Sequence, residues 1–312
     1  MRAVSSTHPA GRLRYCVDLR SPWSLMRTLL FLSLCGVLPA ETATLVFPTP
    51  RQFDAQPGAF LFDESVRILL PDKPSAEDTL LARLLTAELS DWYSTPVKRQ
   101  TAARTPAQSR AVVMGDISNL LVARYAALHG LRVTAREPGP EGYALLITPE
   151  LVLIAGSDAR GAFYGFQTLR QLIARVDGRL TAPAVRIGDR PAKPLRFFRL
   201  YMPSREDMPF FKKLVRDVVA LYKYNTLILE TGGAMRLDRH PEINAGWSEF
   251  AKDLNYSRRD RAWGSNQEFT NSGNHDVSDG RVLEKDEIAE MLRWVRQFHI
   301  EVIPEIPSLT HS

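Results

Sequence analysis

The chain has 312 residues, 45% of them hydrophobic and 24% charged, with a formal net charge of +5 at pH 7. This composition supplies enough apolar material for packed cores and excludes a disordered chain, and the length has room for about two domains of ~150 residues. Arg2, Arg12, Arg14, Arg20 and Arg27 place much of the positive charge near the amino end, and no dense Lys/Arg run follows, which argues against nucleic-acid binding.

Met26 to Ala43 reads MRTLLFLSLCGVLPAETA, with one arginine, an apolar run from Leu29 to Leu38, and small residues at Ala40 and Ala43. That is the pattern of an export signal, and its apolar run is shorter than the ~20 residues of a membrane-spanning helix. Residues 1–25 are read as an upstream extension, 26–43 as the signal, and the product as secreted or periplasmic. The two cysteines, Cys16 and Cys35, both precede residue 44. Disulfides, thiolate chemistry and Cys-ligated metals are therefore not expected in the mature protein.

From Thr44 to Arg190 short apolar runs alternate with helical periodicity, as in a compact α/β domain. Ser65 to Leu70 is expected as a strand. Ala76 to Tyr93 places Leu80, Leu81, Leu84, Leu85 and Leu89 on one helical face. Another strand begins at Ala111. YALLI and LVLIA flank Thr148-Pro149-Glu150 as a hairpin, and Ser157 or Asp158 caps a helix running to about Arg175. Pro183 to Pro194 has the Pro, Arg and Gly content of a domain boundary.

Beyond Pro194 the order becomes strand, helix, strand, helix, strand, the pattern of parallel βα units. Arg196 to Tyr201 is the first strand, Pro209 to Tyr222 the first helix and Thr226 to Glu230 the second strand. Trp247 to Gly280 is a polar surface excursion, Lys285 to His299 the second helix, and Glu301 to Ile306 the third strand.

GAFYGFQTLRQLI (Gly161 to Ile173), PLRFFRLYMPSREDMPFFKKLVRDVVALYKYNTLIL (Pro194 to Leu229) and HIEVIPEIPSLTHS (His299 to Ser312) occur in the order and spacing of glycoside hydrolase family 20, the β-N-acetylhexosaminidases. The resemblance implies a small zincin-like α+β domain over 44–190, followed over 191–312 by the first three βα units of a (β/α)8 barrel. It also implies an enzyme that removes terminal N-acetylhexosamine from glycans by substrate-assisted, retaining hydrolysis. The catalytic Asp-Glu pair of that family belongs to a fourth strand, beyond Ser312. A glycan is the implied partner, with no cofactor.

Carried over by position, Arg196 matches a family arginine at the end of the first strand that binds sugar hydroxyls, and strand ends are where barrels place their ligand contacts. Its alternative is a surface arginine pairing with a nearby acid. Glu230 ends the second strand in LILETGG, where the family has histidines and an aspartate; it is expected to bind substrate, or else to be a buried acid paired with Arg196 or another arginine. His311 matches a histidine that tunes the catalytic acid. Glu305 is read as structural. Tyr201 and Pro307 also depart from the family pattern. The six histidines are scattered, with no HExxH, GxGxxG, Walker or GxSxG sequence, so neither a metal nor a nucleotide is expected. Two other readings stay open: a related barrel glycosidase such as an α-glucuronidase or O-GlcNAcase-like enzyme, and a carbohydrate-binding homologue without catalysis.

Overall fold

The computed structural model describes residues 46–102, 110–205, 207–249 and 282–306. Its first half is built on an eight-stranded sheet: β1 (Gln52–Leu61), β2 (Arg67–Leu70), β3 (Lys98–Thr101), β4 (Ala111–Asp116), β5 (Tyr143–Ile147), β6 (Leu151–Gly156), β7 (Ala174–Val176) and β8 (Arg179–Asp189). The order is β1-β8-β5-β6-β4-β2-β3, with β7 paired to β8. β3, β2, β4 and β6 run parallel, and β5 joins β6 through the antiparallel hairpin anticipated at Thr148–Glu150.

Three helices cover this sheet. α1 (Ala76–Ala87) starts from a capping box, in which Ser75 Oγ accepts from Asp78 N and Asp78 Oδ2 from Ser75 N; it widens into a π-helical turn at Glu88–Trp92. α2 (Leu120–Leu128) is capped by Asn119, and α3 (Ala159–Leu172) by Asp158. Strand alternation sorts the core into two layers. Val112 and Met114 of β4 pack on the side of α1 and α3, while Ala111 and Val113 pack with Val122 and Ala126 of α2. Gly161 and Gly165 let α3 lie close on the sheet, since a Cβ at Gly165 would come within 2.5 Å of Ile154 Cγ2.

The second half contains three parallel strands whose spatial order follows the chain: β9 (Phe197–Tyr201), β10 (Thr226–Glu230) and β11 (Glu301–Glu305). α4 (Met208–Leu214), continuing as a π-helical stretch to Ala220, links β9 to β10. α5 (residues 241–249) and α6 (Lys285–Arg296) precede β11. Both sheets lie within one compact unit, Thr44–Ser312. Leu227 and Leu229 face the helices and are buried with Phe211, Val215, Met291 and Val295. The alternate residues point the other way, where Phe197 stays 52% and Ile303 44% exposed.

Three readings are corrected. β8 occupies much of the supposed boundary, with Pro183 tolerated because it lies opposite Ala59 at the edge of a register shift in β1. Trp247 is buried in α5 against Gly233, where a Cβ would approach Trp247 Cβ to 2.3 Å, so residues 247–249 are helical, and the rest of the expected excursion, to Gly280, lies outside the described residues. Arg196 precedes β9 and belongs to the amino end of the sheet.

Candidate functional site

The carboxyl ends of the three parallel strands bring Tyr201, Glu230 and Glu305 into one row: Glu230 is in register with Tyr201 on one side and Glu305 on the other. Arg199, two residues before Tyr201, shares its face. Its guanidinium donates to Glu230, donates to Glu305 from Nε at 2.6 Å and from Nη2 at 3.3 Å, and lies 5.3 Å from the Tyr201 ring centroid. These bonds, Glu305's first, push Arg199 further above the ordinary guanidinium range. Glu230 is buried, while Arg199 and Glu305 are part exposed. Glu230 thus sits at a strand end and is a buried acid paired with an arginine, which is Arg199, as in the second form of its expectation.

The segments that leave β9 and β10 are tied by side-chain hydrogen bonds. After β9, Arg205 makes a bidentate pair with Glu287 on α6, both bonds at 2.6 Å, and donates to Val282 O at 3.1 Å. Hydrogen bonding from Arg205 pulls the Glu287 carboxyl down to about 2. After β10, Asn244 of α5 donates to Gly233 O and Met235 O, both at 2.8 Å, and accepts from Leu237 N at 2.8 Å. A cavity of about 490 Å³ adjoins Arg205, lined also by Arg236, Asn244, Ser248 and Glu284.

Arg196 is at the opposite end. Its Nε donates to Lys223 O (2.7 Å), Nη1 to Lys193 O (2.7 Å) and Pro194 O (3.5 Å), and Nη2 to Glu141 and the Tyr164 hydroxyl, both at 2.7 Å. All five guanidinium donors are used, which leaves none for a sugar hydroxyl. Burial opposes ionisation of Glu141, but hydrogen bonds from Arg160 and Arg196 outweigh it and hold that carboxyl below its usual range. Beside this pair the Lys223 ammonium is buried against Tyr143 OH (2.9 Å) and Asp189 Oδ2 (3.4 Å), and Tyr143 OH shares a 2.6 Å hydrogen bond with Thr168 Oγ1. Burial lowers the Lys223 pKa and raises that of Tyr143. Arg196 is a tie between the two sheets: it pairs with an acid, as in its alternative reading, but is largely buried and not a surface residue.

The family model described as "Glycosyl hydrolase family 20, domain 2" matches residues 43–190. A β-hexosaminidase from Akkermansia muciniphila is 29% identical over 180 residues, 55% of this chain and 32% of that one. A β-hexosaminidase from Porphyromonas gingivalis is 41% identical over 96 residues, 27% of this chain and 12% of that one. The crystal structure of a β-N-acetylhexosaminidase from Bacteroides fragilis superposes with a TM-score of 0.57 at 20% identity, over 84% of this chain and 45% of that one. Residues 43–190 thus match domain 2 of glycoside hydrolase family 20, and these likenesses together support a divergent, partial member of that family.

The chain spans about a third or less of the length of these curated relatives. Among family 20 features read from the sequence, His311 lies outside the described residues. The residues missed were Arg199 and Arg205. Arg199 was visible in principle, because period-two alternation in FFRLY puts it on the face of Tyr201 and two residues from the strand end. Arg205 had a weaker signal, a charged residue four positions beyond that end. No group of three or more His, Cys, Asp or Glu side chains suited to a metal occurs among the described residues, and no helix among them is long and apolar enough to cross a membrane.

Proposed function

We propose that this chain is part of an exported hydrolase that removes terminal N-acetylhexosamine from glycans, with a zincin-like domain at 44–190 and the first βα units of a (β/α)8 barrel at 191–312. The observation that supports this reading is the row Tyr201, Glu230 and Glu305, held by Arg199 at the carboxyl ends of consecutive parallel strands, where barrel enzymes bind their substrates. Glu230 accepts hydrogen bonds from hydroxyls of the terminal sugar, with Arg199 fixing the direction of its carboxylate. His311 is assigned the tuning of the catalytic acid, as the family resemblance implies. In the substrate-assisted reaction the 2-acetamido oxygen attacks the anomeric carbon as the glycosidic bond breaks. A glutamic acid expected on a fourth strand protonates the departing oxygen, and water then opens the cyclic intermediate with retention, a variant of the two-carboxylate scheme.

The test is the protein encoded by the whole open reading frame, assayed on the 4-nitrophenyl N-acetyl-β-glucosaminide and galactosaminide. Release of nitrophenol, reduced by Glu230→Gln, is expected. No release from either substrate would overturn the reading and favour a binding protein or another sugar.

A further inference from the structure

A second cleft lies in the first sheet, away from the row at Glu230. β2 and β4 are parallel neighbours, Arg67 opposite Ala111, yet their following helices leave on opposite faces: α1 packs with Val112 and Met114, and α2 with Ala111 and Val113. Where adjacent parallel strands diverge in this way, a crevice opens beyond their carboxyl ends, and such crevices bind ligands in α/β sheets generally. Here it measures about 970 Å³, near the top of the usual range for ligand sites of ~300–1,000 Å³. Its walls come from Pro71 to Ser75 after β2, Ala102 after β3, and Asp116 to Leu128 after β4.

The chemistry of the walls narrows the ligand. Two helix amino ends meet here, but both are already capped, Asp78 N donating to Ser75 Oγ at 3.0 Å and Leu121 N to Asn119 Oδ1 at 2.9 Å, and Asp78 Oδ1 joins the two caps by accepting from Asn119 Nδ2 at 2.8 Å. Gly115 leaves room for Asp78, since a Cβ there would fall 2.7 Å from Asp78 Oδ1. Lys73 and Arg124 are outnumbered by Asp72, Asp78 and Asp116, so the crevice has no excess of positive charge to hold a phosphate or nucleic acid. Along α2, Leu120, Arg124, Tyr125 and Leu128 share the face that lines the crevice. Leu120 is 85% and Leu128 69% exposed, and Tyr125 stacks on His129 at 6.4 Å. The wall therefore offers apolar surface with an aromatic ring, flanked by donors and acceptors.

We propose that this crevice is a second sugar-binding site, which holds a neutral oligosaccharide away from the strand ends at Glu230. Sugar C–H faces pack on Tyr125 and Leu128, while hydroxyls, which donate and accept together, meet Asp116, Ser118 and Arg124. The choice of ligand rests on the glycan-processing reading, but the site does not share its residues.

Chitotetraose is the probe, binding to the full chain being followed by ligand-observed saturation-transfer NMR with inorganic phosphate as competitor. Arg124→Ala, at an exposed position, and Tyr125→Ala are each expected to weaken binding at least fivefold with unchanged circular dichroism. Glu230→Gln, which weakens the other sugar site, should leave in place the part of the binding that depends on Arg124 and Tyr125, and equimolar phosphate should not displace the sugar. Absence of saturation transfer, loss that follows Glu230→Gln in place of Arg124→Ala, or displacement by phosphate would each overturn the proposal. Crevice-dependent binding in a protein that releases no nitrophenol would sustain this site while sinking the hydrolase reading. Hydrolysis without crevice-dependent binding would do the reverse.

Discussion

The two ends of the parallel β9–β11 sheet are built from the same materials and differ in what surrounds them. At the amino end, Arg196 and Lys223 point into the first half of the chain, where Glu141, Tyr164, Tyr143 and Asp189 receive them out of water. Asn225 binds that end together, accepting from Arg196 N at 3.0 Å and donating to Pro194 O at 2.7 Å. At the carboxyl end, Arg199 bridges Glu230 and Glu305 on a face that is partly open. Burial makes the first set of arginine and lysine contacts structural, because an ion taken from water must be fully matched. In the second set Arg199 and Glu305 stay partly in water, and only Glu230 is buried.

The largest expected effect comes from breaking the buried end. Asp189→Ala leaves the Lys223 ammonium with the Tyr143 hydroxyl and no carboxylate, and should lower unfolding stability by about 3–5 kcal/mol in urea titration. Pairing it with Lys223→Met, which removes the stranded charge, should recover a good part of that loss. A double variant no more stable than Asp189→Ala alone would contradict the network.

A smaller effect is expected at the exposed pair between Arg205 and Glu287. The Glu287 pKa falls from 4.5 to about 2 in the folded chain. A depressed carboxylate stabilises the fold above its unfolded pKa, and that contribution is lost as pH falls through the folded value. Stability should therefore decline between pH 4.5 and 2, and more shallowly in Glu287→Gln, as followed by thermal melts across that range. Because the pair is a third exposed, the expected difference is only about 1 kcal/mol or less. Equal pH slopes in the two proteins would dismiss the pair as a contributor.

What the sequence disclosed follows the same division. Periodicity and capping located α1, α3, the β5–β6 hairpin and the three parallel strands, because each shows its apolar face or its cap within a few residues. β1 was hidden, since QFDAQPGAFL is mostly exposed and interrupted by Pro57 and Gly58. α2 was hidden because Leu120 and Leu128 stand outside the core, which blurs its amphipathic period. Arg196 was misplaced for a further reason: RFFRLY looks like one unbroken strand, and the partners that claim the first arginine lie 32 and 55 positions away in the chain. Pairing over such distances leaves no local trace. Glu230 was legible as a strand-end carboxylate, but Arg199 as its partner needed the register between β9 and β10.

The contrast between the two ends is tested most directly by measuring melting temperature and KM together for Arg196→Ala and Glu230→Gln in the full open reading frame. Arg196→Ala should cost about 2 kcal/mol of stability with KM for the nitrophenyl sugar within twofold. Glu230→Gln should raise KM about tenfold, equivalent to ~1.4 kcal/mol, with little change in melting temperature. A rise in KM from Arg196→Ala in a normally stable protein, with Glu230→Gln silent, would contradict the account.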